Sequence, residues 1–282
     1  MSYPIARIDP STPGRERSPA LWRNALEKYS ADRSLGVLRS DDFTSGVSCA
    51  GGAGTLATDG RWFMSEEGTT GATSEDFATS VEPDGVAVLQ GTTGADFIGV
   101  QVHAGPTATL VENIVTPKAT TDAKSDVYCE ARVYLNTAEN DTLFVGLAEA
   151  GSTVLTGTNL LTQAADYIGF YRLDGGDLQF VSHNDQDGTQ TAIVVKTAAQ
   201  VAAGYEDAFV KLGFRISNTN KVTVYVDGVE IKKDSSDALV TVPELSIPVE
   251  KLARKLAACR GATLTNATVQ VQCDWFDCYV AE

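Results

Sequence analysis

The chain has 282 residues, of which 43% are apolar, and its 37 Asp and Glu outweigh 22 Lys and Arg to give a formal net charge of −15. That apolar share supports a real core, and the acidity excludes nucleic acid as partner of the whole surface, because phosphate binding needs a basic footprint. No run approaches the ~18 apolar residues of a membrane-spanning helix, and MSYPIARIDPSTPG lacks the apolar stretch of a secretory signal.

The charge is uneven. Residues 1–40 hold seven Lys and Arg against four acids, a basic arm on an acidic body. Residues 1–17, with Pro4, Pro10 and Pro13, read as extended. In SPALWRNALEKYSADRS, Ser18 suits an N-cap and Pro19 the first helical position. Leu21, Trp22, Ala25, Leu26 and Tyr29 recur at helical spacing, which predicts a short amphipathic helix. Alone it would be marginal in water, so its apolar stripe needs a surface to lie on.

From Asp41 the texture becomes β. Gly, Thr, Ser and Asp crowd 44–80, which predicts short strands and loops; VAVLQG (86–91) and FIGVQVHA (97–104) are strand-like. DVYCEARVYL (126–135) alternates almost perfectly. Val127, Cys129, Ala131, Val133 and Leu135 face one way, and Asp126, Tyr128, Glu130, Arg132 and Tyr134 the other. DTLFVGLAEA (141–150) follows closely enough for a hairpin with it. YIGFYRL (167–173) and LQFVSH (178–183) flank the turn signal DGGD, and TAIVVK (191–196) comes next. FVKLGFRI and KVTVYVDGVEI form a second strand pair, with a turn at Asp227-Gly228, and VQVQCDWFDCYV (269–280) closes the chain. VEKLARKLAACR (249–260) is open between helix and strand, since its formers favour a helix and its place in the order favours a strand. Roughly ten to twelve strands with regular turns predict an all-β sandwich or jelly roll of two antiparallel sheets. The arm with its one helix (1–40) precedes this sandwich (41–282).

Five cysteines, Cys49, Cys129, Cys259, Cys273 and Cys278, are an odd, scattered set that fits a reducing compartment. Cys129 reads as a buried thiol. Cys273 and Cys278, an odd number of positions apart, would face opposite ways on a regular strand.

Little in the sequence carries chemistry. His103 and His183 have no partner at metal-ligand spacing and read as surface or strand-edge histidines. Glycoside hydrolysis needs two acids flanking one bond, and no strand shows a Glu-x-Asp-x-x-Glu pattern. Glu130 and Arg132 read as a neutral pair, and Asp274 and Asp277 as solvated strand acids on opposite faces. HNDQDG (183–188) has two acids before a glycine, but Val194 stands where a calcium loop wants Glu, so it reads as a turn. The aromatics Trp62, Phe63, Tyr128, Tyr134, Tyr167 and Tyr171 could stack on sugar rings or pack against a neighbour. The polar face of 126–135 reads as a surface or subunit contact.

The order of these segments resembles a family. DDF (41–43), VYCEARVYLN, DTLFVGLAEA, DYIGFYR, FVKLGFRI, KVTVYVDGVEI and VQCDWFDCYVAE together resemble tailed-bacteriophage virion proteins with a concanavalin-like jelly roll. The likeness covers about 126–281 well and 41–125 loosely, and VEKLARKLAACR departs from the family's plainer strand. It implies a head decoration, or cement, protein on the outer capsid surface, made in the host cytoplasm. It also implies no catalysis and no cofactor. The expected partners are the major capsid protein and further copies of the chain, with no nucleic acid and no membrane. The arm residues Arg15, Arg17, Leu21, Trp22, Leu26 and Tyr29 are the expected docking elements. The alternative is a lectin-like, glycan-binding module of a tail fibre or host-attachment protein.

Overall fold

The computed structural model describes residues 16–23, 25, 36–43, 48–50, 55–56, 62–68, 74–79, 86–92, 98–104, 125–135, 142–149, 152, 154–155, 161–173, 175–205, 208–249, 252–260 and 268–281. Two antiparallel sheets stack as a concanavalin-like jelly roll. Sheet I runs β15 (Val229–Glu230), β14 (Val222–Val226), β13 (Ala208–Ile216), β8 (Asp126–Leu135), β17 (Thr268–Ala281), β6 (Ala87–Thr92), β5 (Ser74–Thr79), β2 (Ser48–Ala50). The 14-residue β17 is long enough to take β6 along its first half and β1 (Gly36–Asp41) along its second. Sheet II runs β12 (Thr189–Lys196), β11 (Leu178–Asn184), β10 (Tyr167–Arg172), β9 (Thr142–Glu149), β16 (Leu252–Arg260), β7 (Ile98–Ala104), β4 (Trp62–Gly68), β3 (Thr55–Leu56). Helix α1 is described at 19–23 and 25, and α2 spans Ala198–Gly204. Among the described residues no helix is long and apolar enough to cross a membrane.

The core fills the space between the sheets. The apolar set of β8 meets Leu143, Val145 and Leu147 of β9 and Ile168 and Phe170 of β10. Phe180 of sheet II packs edge-on against Phe214 of sheet I, with ring centroids 5.6 Å apart.

Several expectations change. β8 and β9 do not form a hairpin: β8 pairs with β13 and β17, and β9 with β10 and β16. Nearly every residue of β9 is buried, so it needs a neighbour on both edges and cover on both faces, and it finds them in sheet II. Segment 249–260 contributes a strand. Leu252, Arg254 and Leu256 alternate with Ala253, Lys255 and Ala257, so the basic face of a helix becomes two cations on opposite faces of a sheet. Cys273 and Cys278 both lie in the core, because a register shift between Cys273 and Trp275 inserts one residue and reverses the alternation. The boundary expected at residue 40 falls inside β1, which is hydrogen-bonded to the last strand. The structure describes seventeen strands where roughly ten to twelve were expected.

Candidate functional site

The outer face of sheet I is where the polar side of DVYCEARVYL points, and α1 lies on it. Leu21, Trp22 and Ala25 are buried in one cluster with Tyr128, Tyr225 and Tyr279. Trp22 and Tyr128 have ring centroids 6.3 Å apart. Gly213 of β13 leaves the room: a β-carbon there would come within 2.7 Å of Leu21 Cδ2. The Trp22 indole N–H donates to Glu130 Oε2 at 2.6 Å and the Ser18 amide donates to the same oxygen at 3.1 Å. Arg17 donates from Nε to Asp277 Oδ2, from a second nitrogen to Ser40 Oγ at 3.1 Å, and lies over the Trp275 ring.

The expected docking residues divide accordingly. Arg17, Leu21 and Trp22 are engaged on sheet I; Arg15, Leu26 and Tyr29 lie outside the described residues. The reading of solvated acids is corrected. Glu130, Asp274 and Asp277 are all buried: α1 and its leading residues cover Glu130 and Asp277, and Arg132 pairs with Asp274. Glu130 pairs with Trp22 rather than with Arg132, whose guanidinium reaches Asp274 at 2.5 Å, and Tyr128 is buried rather than exposed.

The outer face of sheet II has a different make-up. Phe144, Ala148, Tyr167, Tyr171, Val181 and Ala257 form an apolar floor. Two glycines, Gly146 and Gly169, oppose each other in its middle. Val154 and Leu155 of the β9–β10 connection rest on this floor, and Lys255 Nζ donates to the carbonyl of Ser152 beside them. His183 lies in β11, an interior strand, and is wholly buried, which corrects the surface or strand-edge reading. Its ring stacks on Tyr167, centroids 5.2 Å apart, and its Nδ1 meets the Ala165 carbonyl oxygen at 2.8 Å. Tyr167, His183 and Gln190 are register neighbours across β10, β11 and β12, and Gln190 Nε2 donates to Tyr167 Oη at 2.9 Å. Burial holds the Tyr167 phenol far above its ordinary range. Two rows along on the same face, past Gly169–Val181–Ala192, Tyr171 stands beside Gln179 and Val194. Toward β12 the covering thins, and Gln190 and Ala192 are exposed.

His103 is in β7, with a side chain outside the described set, and Trp62 is buried with its indole N–H on Asp41 Oδ2 at 2.7 Å. HNDQDG ends β11 and turns at 185–188: Asn184 donates to Asp187 Oδ2 at 3.0 Å and to the Leu245 carbonyl, and Gly188 has φ 60°. Among the described residues no three His, Cys, Asp or Glu converge as a metal site. Gln190 and the glycine pair escaped the sequence reading, although a glycine inside a strand signals close backbone approach.

No protein-family model matches the chain, and no curated protein matches it. Solved structures do match in fold. The catalytic domain of an endo-1,3-β-glucanase (laminarinase) from Thermotoga petrophila RKU-1 superposes with TM-score 0.51 at 10% identity, over 88% of this chain and 98% of that one. A native glycosidic hydrolase gives 0.50 at 11%, over 86% and 94%. An immunostimulatory antigen and pseudo β-1,3-glucanase of Mycobacterium tuberculosis gives 0.50 at 14%, over 88% and 100%. At these identities the likeness is one of fold. It corrects the expectation that the chain is not an enzyme, since the laminarinase structure that shares the fold is itself a catalytic domain.

Proposed function

We propose that this chain is a carbohydrate-binding protein whose ligand lies along the outer face of sheet II, at β10–β12. The observation that carries the reading is the pair of register rows Tyr167–His183–Gln190 and Tyr171–Gln179–Val194. They set the rings of Tyr167, His183 and Tyr171, buried beneath the β9–β10 connection, beside the amides of Gln190 and Gln179, and only the β12 margin with Gln190 opens to solvent. Sugars offer the complementary surface, apolar ring faces for aromatics and hydroxyls for amides. The fold supports the class, since two of its structural neighbours bear the names of β-1,3-glucanases. The test is calorimetric titration of the intact chain with β-1,3-linked gluco-oligosaccharides, backed by a glycan array. We expect saturable binding that Gln190→Ala weakens about fivefold, the share of one hydrogen bond. Absence of heat with these oligosaccharides, together with a blank array, overturns the reading. Chromatography of the same mixtures after incubation reports whether bound glucan is cleaved.

A second reading is a structural protein of a tailed-phage particle, supported by the order of EARVYL, VGLAEA, YVDG and DWFDCYV. In it the major capsid protein and further copies are the partners, and Arg17, Leu21 and Trp22 dock only after leaving sheet I. Cryo-electron microscopy of purified particles tests it: regular density on the head supports it, and absence of the chain from particles ends it.

A further inference from the structure

Under α1, two carboxylates face each other. Glu130 of β8 and Asp277 of β17 are register partners on the outer face of sheet I, and both are fully buried. Side chains directly opposite across antiparallel strands have β-carbons about 4.5–5.5 Å apart, and like charges so placed repel. The bonding inventory is incomplete in a telling way. Glu130 Oε2 accepts from Ser18 and Trp22, and Asp277 Oδ2 accepts from Arg17. The Ser18 hydroxyl oxygen has no well-formed bond, although it lies near enough to favour the Glu130 carboxylate, and Glu130 Oε1 and Asp277 Oδ1 have no partner among the described residues. Both are acceptors, so no bond can form between them while both groups are ionised.

The charge count points the same way. Arg17 offsets one of the two carboxylates. Arg132 of β8 is paired with Asp274 of β17 and Arg215 of β13 with Asp126, while Lys211 of β13, bonded to the neutral carbonyl of Glu16, keeps its charge and acts on Glu130 without touching it. A second buried charge would remain with no counter-ion in contact, which is costly. No third metal-binding side chain among the described residues joins the pair, so a cation is a poor substitute for a proton.

We infer that Glu130 and Asp277 share one proton, and that this proton is the catch that holds Arg17–Trp22 on sheet I. The proton sits on Glu130 Oε1 and is donated to Asp277 Oδ1, so one O–H···O⁻ bond satisfies both orphans. Burial pushes the Glu130 carboxyl up, and bonds from Ser18 and Trp22 and the charge of Lys211 do not cancel that push. The neighbouring phenol of Tyr128 is raised to about 12 and that of Tyr225 is also raised, both chiefly by burial, so neither supplies the transition. A group with a raised folded-state pKa stabilises at low pH and loses that contribution as pH climbs through its folded value. Rising pH, on passing the folded value of Glu130, therefore strips the proton, sets the two charges against each other and frees a basic, aromatic segment for other contacts. The inference is independent of the carbohydrate reading.

The experiment uses the full chain. Infrared difference spectra between about pH 4 and pH 9, wild type minus variant, look for a protonated-carboxyl band lost in Glu130→Gln and in Asp277→Asn. Hydrogen exchange of residues 17–25, corrected for intrinsic rates, is followed between about pH 4 and pH 9. We expect the band, and protection that falls about tenfold per pH unit once the proton leaves. In Glu130→Gln the amide donates permanently, so protection stays level. A missing band, or the same fall in Glu130→Gln, overturns the inference. If Glu130→Gln fails to fold, the fate of the wild-type band between the two pH limits decides alone: a band present at the lower limit and lost at the upper one supports the shared proton.

Discussion

Gly169 and Gly146 set how closely β9 and β10 lie at the centre of sheet II. A β-carbon at Gly169 would stand 2.4 Å from the Val145 carbonyl oxygen and 2.7 Å from the Gly146 α-carbon, and both obstacles are backbone. Neither can swing aside, so Gly169→Ala must spread the two strands beneath Tyr167 and Tyr171. We expect a cost on the order of 3 kcal/mol and a melting temperature roughly 6 °C or more below wild type, read by circular dichroism. Residues of this kind separate what the sequence makes legible from what it hides. The alternation of Val127 to Leu135 was readable because both faces of a strand are written in adjacent letters. The fate of Glu130 was not, because its partners Trp22 and Asp277 are far away in sequence, and only the sheet register and α1 bring them together.

Among elements, the strands with strong alternation and clear turns could be placed from their residues. The turn at Asp227-Gly228 is there with φ 49° and 73°, and Gly175 turns β10 into β11 with φ 70°. Strand β16 was ambiguous because Leu, Ala, Lys and Arg favour a helix locally, whereas two open strand edges, on β9 and β7, claim this segment. Helix α2 went unread although its signal is present. Thr197 and Gln200 form a capping box, with the Thr197 side chain accepting from the Gln200 amide and the Gln200 side chain from the Thr197 amide. Seven residues with one buried side chain, Val201, make a weak period, so the cap matters more than the face. Thr197→Ala should therefore cost about 1 kcal/mol, seen as a melting point about 2 °C lower. Thr197→Ser, which keeps the oxygen, should recover most of that difference.

For the whole molecule, two partly or wholly buried carboxylates, Asp126 and Glu130, respond to pH in opposite directions, while Asp234, also lowered, is held by local turn bonds on the surface. Burial alone would raise Asp126, but the Asn218 amide at 2.8 Å and the Arg215 guanidinium at 2.9 Å outweigh it. Its carboxyl therefore lies below the ordinary 3.8. A depressed group stabilises above its unfolded value and loses that contribution as pH falls through its folded one. Glu130 lies above its ordinary 4.5 and works the other way, favouring acid conditions. The two effects overlap only in mildly acidic solution, above the folded value of Asp126 and below that of Glu130. The net charge of −15 adds self-repulsion that acid also relieves, which moves the optimum further from alkaline pH. Urea midpoints measured from about pH 3 to about pH 9 should peak on the acid side of neutral, with both limbs assignable. Asp126→Asn should flatten the acid limb and leave the alkaline one, and Glu130→Gln should flatten the alkaline limb and leave the acid one. A maximum above neutrality would mean that neither carboxylate governs the molecule's response to pH, since removing protons would then stabilise the fold on balance.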